Sequence, residues 1–121
     1  MKKILIVDNE LDIRELVEAT LRAEDYQILQ AKSAEKAIEI VKAEKPDLII
    51  MDIMMPRGMD GLEATRILKN DPKTKDCIII MLSVKGQQVD REKGIAAGAD
   101  DYFTKPFSPL ELIKKVAGVL A

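Results

Sequence analysis

Histidine is absent from the 121 residues, and cysteine occurs once. Without histidine there is no Ser-His-Asp triad, no imidazole-activated cysteine and no His-ligated zinc. Any chemistry must therefore use carboxylates, hydroxyls, lysine and backbone groups. The lone Cys77 cannot form an internal disulfide, which fits a reducing compartment. A charge excess is lacking too: 19 Lys and Arg stand against 21 Asp and Glu, for a net charge of −2. That balance gives no general attraction to nucleic acid or to an anionic membrane, and no basic block reads as a DNA-binding arm. Long apolar runs are also missing, so no segment is expected to span a bilayer. "MKKILIV" begins like a secretory leader, but Asp8 ends its apolar run too early. A cytoplasmic protein is expected, with no direct nucleic-acid partner and no membrane partner.

What is present is the composition of a folded domain, 47% hydrophobic and 33% charged. One domain over residues 1–121 is expected, long enough to bury roughly two-thirds of the surface of its unfolded chain. Strand and helix patterns alternate along it. Ile4 to Val7 is a short apolar run, followed by a helical pattern with Ile13, Leu16, Val17 and Leu21 on one face. Tyr26 to Ala31 reads as a strand, and Ser33 opens a helix carrying Ala37, Ile40 and Val41. Leu48 to Met51 is a third strand, after which Asp60 can cap a helix carrying Ala64, Ile67 and Leu68. "KNDPKTKD" at 69–76 reads as a solvated loop, and Ile78 to Leu82 as a fourth strand. A weaker helix runs from about Gln87 to Ala97, with Gly94 inside it and Gly98 placed to cap it. Asp101 to Thr104 is a fifth strand. "SPLE" at 108–111 then supplies a serine cap, proline at the first helical position and glutamate three residues after the cap, opening a helix with Leu112, Ile113, Val116 and Leu120.

Five such repeats with short connections predict an α/β fold, a parallel sheet with helices on both faces. Ligands of these sheets bind beyond the carboxyl ends of the strands. The groups at those ends are Asp8, Asn9 and Glu10 after the first strand, Asp52 after the third, Ser83 after the fourth and Lys105 after the fifth. Each alone is as well explained by a helix cap or a turn; together they put two acids, an amide, a hydroxyl and an ammonium on one rim. Asp52 is the puzzle, since in "IIMDIMMP" an apolar strand runs into an acid with no evident partner. Two carboxylates about 4 Å apart repel by roughly 4 kcal/mol at an effective dielectric of 20. A hard cation such as Mg²⁺ would relieve this and keep waters to share with a phosphate. The rim looks suited to a phosphoryl group, with Asp52 as the oxygen nucleophile.

"ILIVDNE", "PDLIIMDIMMP", "MDGLE", "IIIMLS" and "AAGADDYFTKPF" resemble, in order and over essentially the whole chain, the receiver domain of two-component response regulators, the CheY-like family. The resemblance implies a flavodoxin-like doubly wound (βα)5 fold with a five-stranded parallel sheet in the order 2-1-3-4-5. It implies that Asp52 is the phosphoacceptor, taking its phosphoryl group from a sensor histidine kinase or a histidine phosphotransfer protein. Asp8, Asn9, Asp52 and the backbone carbonyl of Met54 would hold Mg²⁺. Ser83 and Lys105 would contact the phosphoryl group, Lys105–Pro106 would be cis, and Tyr102 would turn inward as the hydroxyl moves. Such a chain is a signalling phosphoacceptor rather than an enzyme. Its signal would pass to a downstream protein target through the face of the fourth helix, fifth strand and fifth helix, where Gly86, Gly94 and Gly98 weaken the fourth helix.

Three departures from the family pattern stand out. Asn9 is an amide where the family commonly has a second acid. "MMPRGMDG" has one residue more between Asp52 and Asp60 than the usual spacing, at Arg57 or Gly58. Val84 follows Ser83 where a smaller residue is usual, and its bulk would narrow access to Asp52. Glu10 is open to two readings, metal contact or helix cap. Met51, Met54, Met55 and Met59 read as core and loop packing, as does Cys77. Two rival functions are a phosphohydrolase of the haloacid dehalogenase kind and a receiver-like interaction module that works without phosphorylation. The first needs an acid two residues after the nucleophile, where this chain has Met54.

Overall fold

The computed structural model describes residues 1–84 and 88–121, apart from the side chains at 84 and 88–90. The readings of Gly86, of a helix start at Gln87 and of the Val84 side chain lie outside these residues. Strand and helix alternate throughout: β1 (Lys2–Val7), α1 (Leu11–Leu21), β2 (Tyr26–Ala31), α2 (Ala34–Glu44), β3 (Leu48–Asp52), α3 (Gly61–Lys69), β4 (Ile78–Val84), α4 (Gln88–Ala97), β5 (Asp101–Lys105) and α5 (Pro109–Leu120). The five strands form one sheet in the order β2-β1-β3-β4-β5, parallel at every pairing. This is the flavodoxin-like arrangement that the resemblance implied.

The unbroken apolar strands follow from burial on both faces. Successive side chains of a strand point to opposite sides. Leu5, Val7, Ile49, Met51, Ile79 and Met81 therefore face a layer that includes Ala34, Ala37 and Val41 of α2 and Ala64 and Leu68 of α3. Ile4, Ile6, Leu48, Ile50, Ile80 and Leu82 face Val17 and Leu21 of α1 and Leu112 and Val116 of α5. Each fully buried Leu or Ile stabilises the fold by about 1.5–3 kcal/mol relative to exposure. The small residues of α2 and α3 let those helices lie close to the sheet.

The helices begin where the sequence supplies oxygen acceptors. Ser33, Asp60 and Ser108 accept from the N–H groups of Lys36, Glu63 and Glu111, satisfying donors that the first helical turn leaves free. Glu10 occupies the corresponding position before α1, but its side chain makes no such bond. Gly98 ends α4 at φ 107, its N–H donating to Ile95 O at 3.0 Å.

Two helical positions differ from expectation. Leu16 is 49% exposed and Ile67 38% exposed, although the apolar pattern placed both inward. Each precedes a buried residue, Val17 or Leu68, and one step turns the helix by about 100°, which puts both at the margin of the buried stripe. The 69–76 segment is also more than a solvated loop. Thr74 is buried and donates to Leu68 O at 2.6 Å. Lys69 Nζ donates to Lys75 O, Cys77 O and Asp100 Oδ2 at 3.1, 2.7 and 2.7 Å, fastening the end of α3 to the start of β4. Cys77 is buried, its thiol donating to Pro46 O at 2.9 Å. Burial pushes its pKa up to about 12, so the thiolate is suppressed and packing accounts for it.

Candidate functional site

Parallel register decides which side chains can meet. Val7 pairs with Met51, Asp52 with Leu82, and Val84 with Lys105. The carboxyl ends of β1, β3, β4 and β5 thus stop at one edge, and Asp8, Asp52, Ser83 and Lys105 lie together there.

Asp8 is fully buried one residue beyond β1. Its Oδ1 accepts from the Glu10 N–H at 2.9 Å, and its Oδ2 accepts from Lys105 Nζ at 2.8 Å. Asp52, the last residue of β3, is 3% exposed, and its Oδ1 accepts from the same Nζ at 3.0 Å. The expectation of an unpartnered acid is thereby corrected. Asp52 is paired, because β5 delivers a long cationic side chain to the gap between two buried carboxylates. The Lys105–Pro106 bond is cis.

The electrostatics of this triad are not balanced. Burial, and next the charge of Asp8, push the Asp52 carboxyl up to about 6; Lys105 and the Met54 N–H pull the other way without cancelling the rise. Burial also opposes the charge on Lys105, but the hydrogen bond to Asp8 and the pull of Asp52 outweigh it, so its pKa is raised. One ammonium is shared by two carboxylates, which leaves excess negative charge in a site that water reaches poorly.

Ser83 supplies a different signal. It is buried, and its Oγ is the one buried side-chain N or O atom without a hydrogen-bond partner among the described residues. Leaving such a group unsatisfied costs about 1–3 kcal/mol, so the hydroxyl has hydrogen-bonding capacity to spare.

Asn9 and the side chain of Met54 are both exposed. Asn9 lines a crevice of about 510 Å³ with Lys32 and Ser33 from the turn into α2 and Met55, Pro56 and Arg57 from the loop after β3. Among the described residues no three His, Cys, Asp or Glu side chains gather to hold a metal. The donors at hand are two carboxylates, an amide and backbone carbonyls. All are hard oxygen ligands, and the crowding of Asp8 on Asp52 is what a divalent cation would relieve. The donor set fits Mg²⁺.

Tyr102 is half-buried on β5, with the Arg91 guanidinium of α4 5.6 Å from its ring centroid. That contact was not legible in the sequence. Nor was Arg14 of α1, whose Nη1 donates to Asp8 O at 2.7 Å and whose Nε donates to Gln30 Oε1 at 3.0 Å. It fastens the backbone of the buried acid to β2. The sequence signal was faint, a cation inside the helix that follows the acid.

The sequence matches the response regulator receiver domain family over residues 4–117. It is similar to the phosphate regulon transcriptional regulatory protein PhoB of Pseudomonas aeruginosa, 45% identical over 98% of this chain and 52% of the relative. It is also similar to the transcriptional regulatory protein YvrH of Bacillus subtilis, 46% identical over 93% of this chain and 46% of the relative. The chain spans about half the length of these curated relatives. In structure it is similar to the chemotaxis protein CheY4 of Vibrio cholerae, with a TM-score of 0.90 and 31% identity over 98% of both chains. Among the described residues no helix is long and apolar enough to cross a membrane.

Proposed function

This chain belongs to the response regulator receiver domains, and from that premise we propose that it is a phosphorylation switch in which Asp52 accepts a phosphoryl group. The donor is a histidine kinase or a histidine phosphotransfer protein. The bond from the donor imidazole nitrogen to phosphorus breaks, a bond from an Asp52 carboxylate oxygen forms, and the imidazole takes up a proton. The observation that supports this reading is the buried Ser83 hydroxyl, without a partner among the described residues, on the same rim as the Lys105 ammonium shared by Asp8 and Asp52.

The geometry supports a role for each residue. Asp52, ionised, is the nucleophile, and its raised pKa keeps it basic enough to attack. Lys105 can leave its bond to Asp52 for the incoming phosphoryl oxygens without leaving Asp8. Ser83 donates its hydroxyl to another of those oxygens. Asp8, Asp52, the Asn9 amide and the Met54 carbonyl would hold Mg²⁺, which, when bound, neutralises charge on the transferring group.

Phosphorylation adds about −1.5 to −2 charges and three acceptor oxygens. Ser83 and Lys105 move toward them, and Tyr102 turns inward, away from Arg91. The surface of α4, β5 and α5 is thereby altered for a downstream protein target. Asn9 favours a second reading, an interaction module that never takes up phosphate, because an amide is a weaker cation ligand than a carboxylate.

Incubation with acetyl phosphate and Mg²⁺, followed by intact-mass measurement, decides between them. One added phosphoryl mass is expected in the native protein and none in Asp52→Asn. Equal labelling of the two would sink the assignment, and no labelling of either would favour the second reading.

A further inference from the structure

The loop after β3 carries one residue more than the family pattern, and the structure shows how the extra length is held. Gly58 sits at φ 73, where a residue with a Cβ is strained. Next to it the Met59 N–H donates to Glu35 Oε2 at 3.1 Å. Glu35 lies in the first turn of α2, where negative charge is favoured by the helix dipole. Any Cβ at position 58 would also run into that same Oε2 atom. Glycine is favoured here by its backbone angle, and a Cβ would have to displace the flexible end of the Glu35 side chain.

The other end of the loop is held through its backbone. The Gly61 N–H donates to Ile53 O at 3.1 Å, and a Cβ at 61 would strike the Asp52 carbonyl oxygen. The Glu35 carboxylate thus ties the backbone of this loop to α2. The segment it fastens contains Met54, whose N–H acts on the Asp52 carboxylate, and one side of the crevice beside Asn9. The Met59 N–H and Glu35's own N–H lower the Glu35 pKa, so the carboxylate is ionised at neutral pH.

We infer that Glu35 is a positioning residue for the phosphoacceptor site. Its carboxylate clamps the lengthened loop to α2, and so fixes where the Met54 carbonyl stands relative to Asp52 and how wide the crevice beside Asn9 is. The inference rests on the reading of Asp52, Asp8 and Met54 as the Mg²⁺-holding groups. Outer partners that orient metal ligands are worth 10–100-fold in affinity. A clamp acting through one loop belongs at the low end of that range.

The test uses the unphosphorylated protein. Mg²⁺ is titrated while the amide NMR signals of residues 8, 9, 52 and 54 are followed, and hydrogen exchange is measured at the Met59 amide. Glu35→Ala should speed Met59 exchange and raise the Mg²⁺ midpoint by about tenfold. Glu35→Gln keeps an oxygen acceptor and should stay close to the native midpoint. Gly58→Ala attacks the same contact from the other side and should resemble Glu35→Ala. Unchanged Met59 exchange in Glu35→Ala would remove the clamp, and an unchanged midpoint would confine it to the loop. An equal rise in Glu35→Gln would make the effect one of net charge. Any of the three overturns the inference. Native protein with no Mg²⁺-dependent shift at residues 8, 9 or 52 would overturn the functional reading as well.

Discussion

Lys105 Nζ lies 3.0 Å from the Asp52 carboxylate while holding Asp8 at 2.8 Å, so the proposed nucleophile is masked by the cation that would later serve its phosphate. The pair is a ground-state arrangement with too little positive charge for its two acids. Its consequences can be measured.

The first is a pH dependence with an unusual sign. Asp52 titrates near 6 in the folded chain against 3.8 as a free side chain. Between those values the folded protein binds more protons than the unfolded one, so stability falls as pH rises through that window. The loss is about 3 kcal/mol at most, the free-energy equivalent of that rise in pKa. Urea midpoints of native protein should drop from pH 4 to pH 7 relative to Asp52→Asn, in which this contribution is absent. Parallel curves for the two proteins would show that Asp52 does not carry the strain.

Replacing the shared cation should be costly. Lys105→Met leaves two buried carboxylates without their common partner, and breaking a buried ion pair from one side typically costs about 3–5 kcal/mol. The loss should be largest above pH 7 and shrink near pH 5, where Asp52 can protonate. Millimolar Mg²⁺ should restore part of it. A thermal-melt series at several pH values checks this, and a loss independent of pH would mean that the ammonium matters only for packing.

Asn9 offers a gain-of-function test. Asn9→Asp adds a negative charge to the cation-holding cluster and should tighten Mg²⁺ binding by about 1–3 kcal/mol, as charged groups exceed neutral ones in such bonds. Calorimetric titration of both proteins would show it. Equal affinities would mean that position 9 faces away from the ion.

The last prediction concerns distance. Beryllofluoride, which mimics an acyl phosphate, should perturb amide signals across residues 84–108, including those around Tyr102 and Arg91. The shift is one of populations, limited by the difference in binding to the two states. In Ser83→Ala the response at Tyr102 should weaken while that at Asp52 persists. Changes confined to residues 8, 52 and 83 would remove the long-range switch.

The sheet and its edge were legible because apolar strand runs and helix caps are local signals. Once five parallel strands were read, Asp8, Asp52, Ser83 and Lys105 had to end on the same rim. What the side chains do there was less legible. Whether Lys105 reaches Asp52 depends on a side-chain path from β5, and an isolated apolar run ending in an acid gives no hint of it. The extra residue near Gly58 was visible as a spacing, but its partner Glu35 lies 24 positions from Met59, with no pattern joining them. Leu16 and Ile67 were misplaced because hydrophobicity reports a stripe and not its margins.

The contact between Lys105 and Asp8 joins residues 97 positions apart, nearly the two ends of the domain. A chain still being synthesised can have β1, β3 and even β4 in place and lack the ammonium altogether. Until β5 docks, Asp8 and Asp52 face each other without a counter-charge, and Ser83 lies on an open sheet edge. The ion pairs of the site are therefore complete only once the fifth strand is in place.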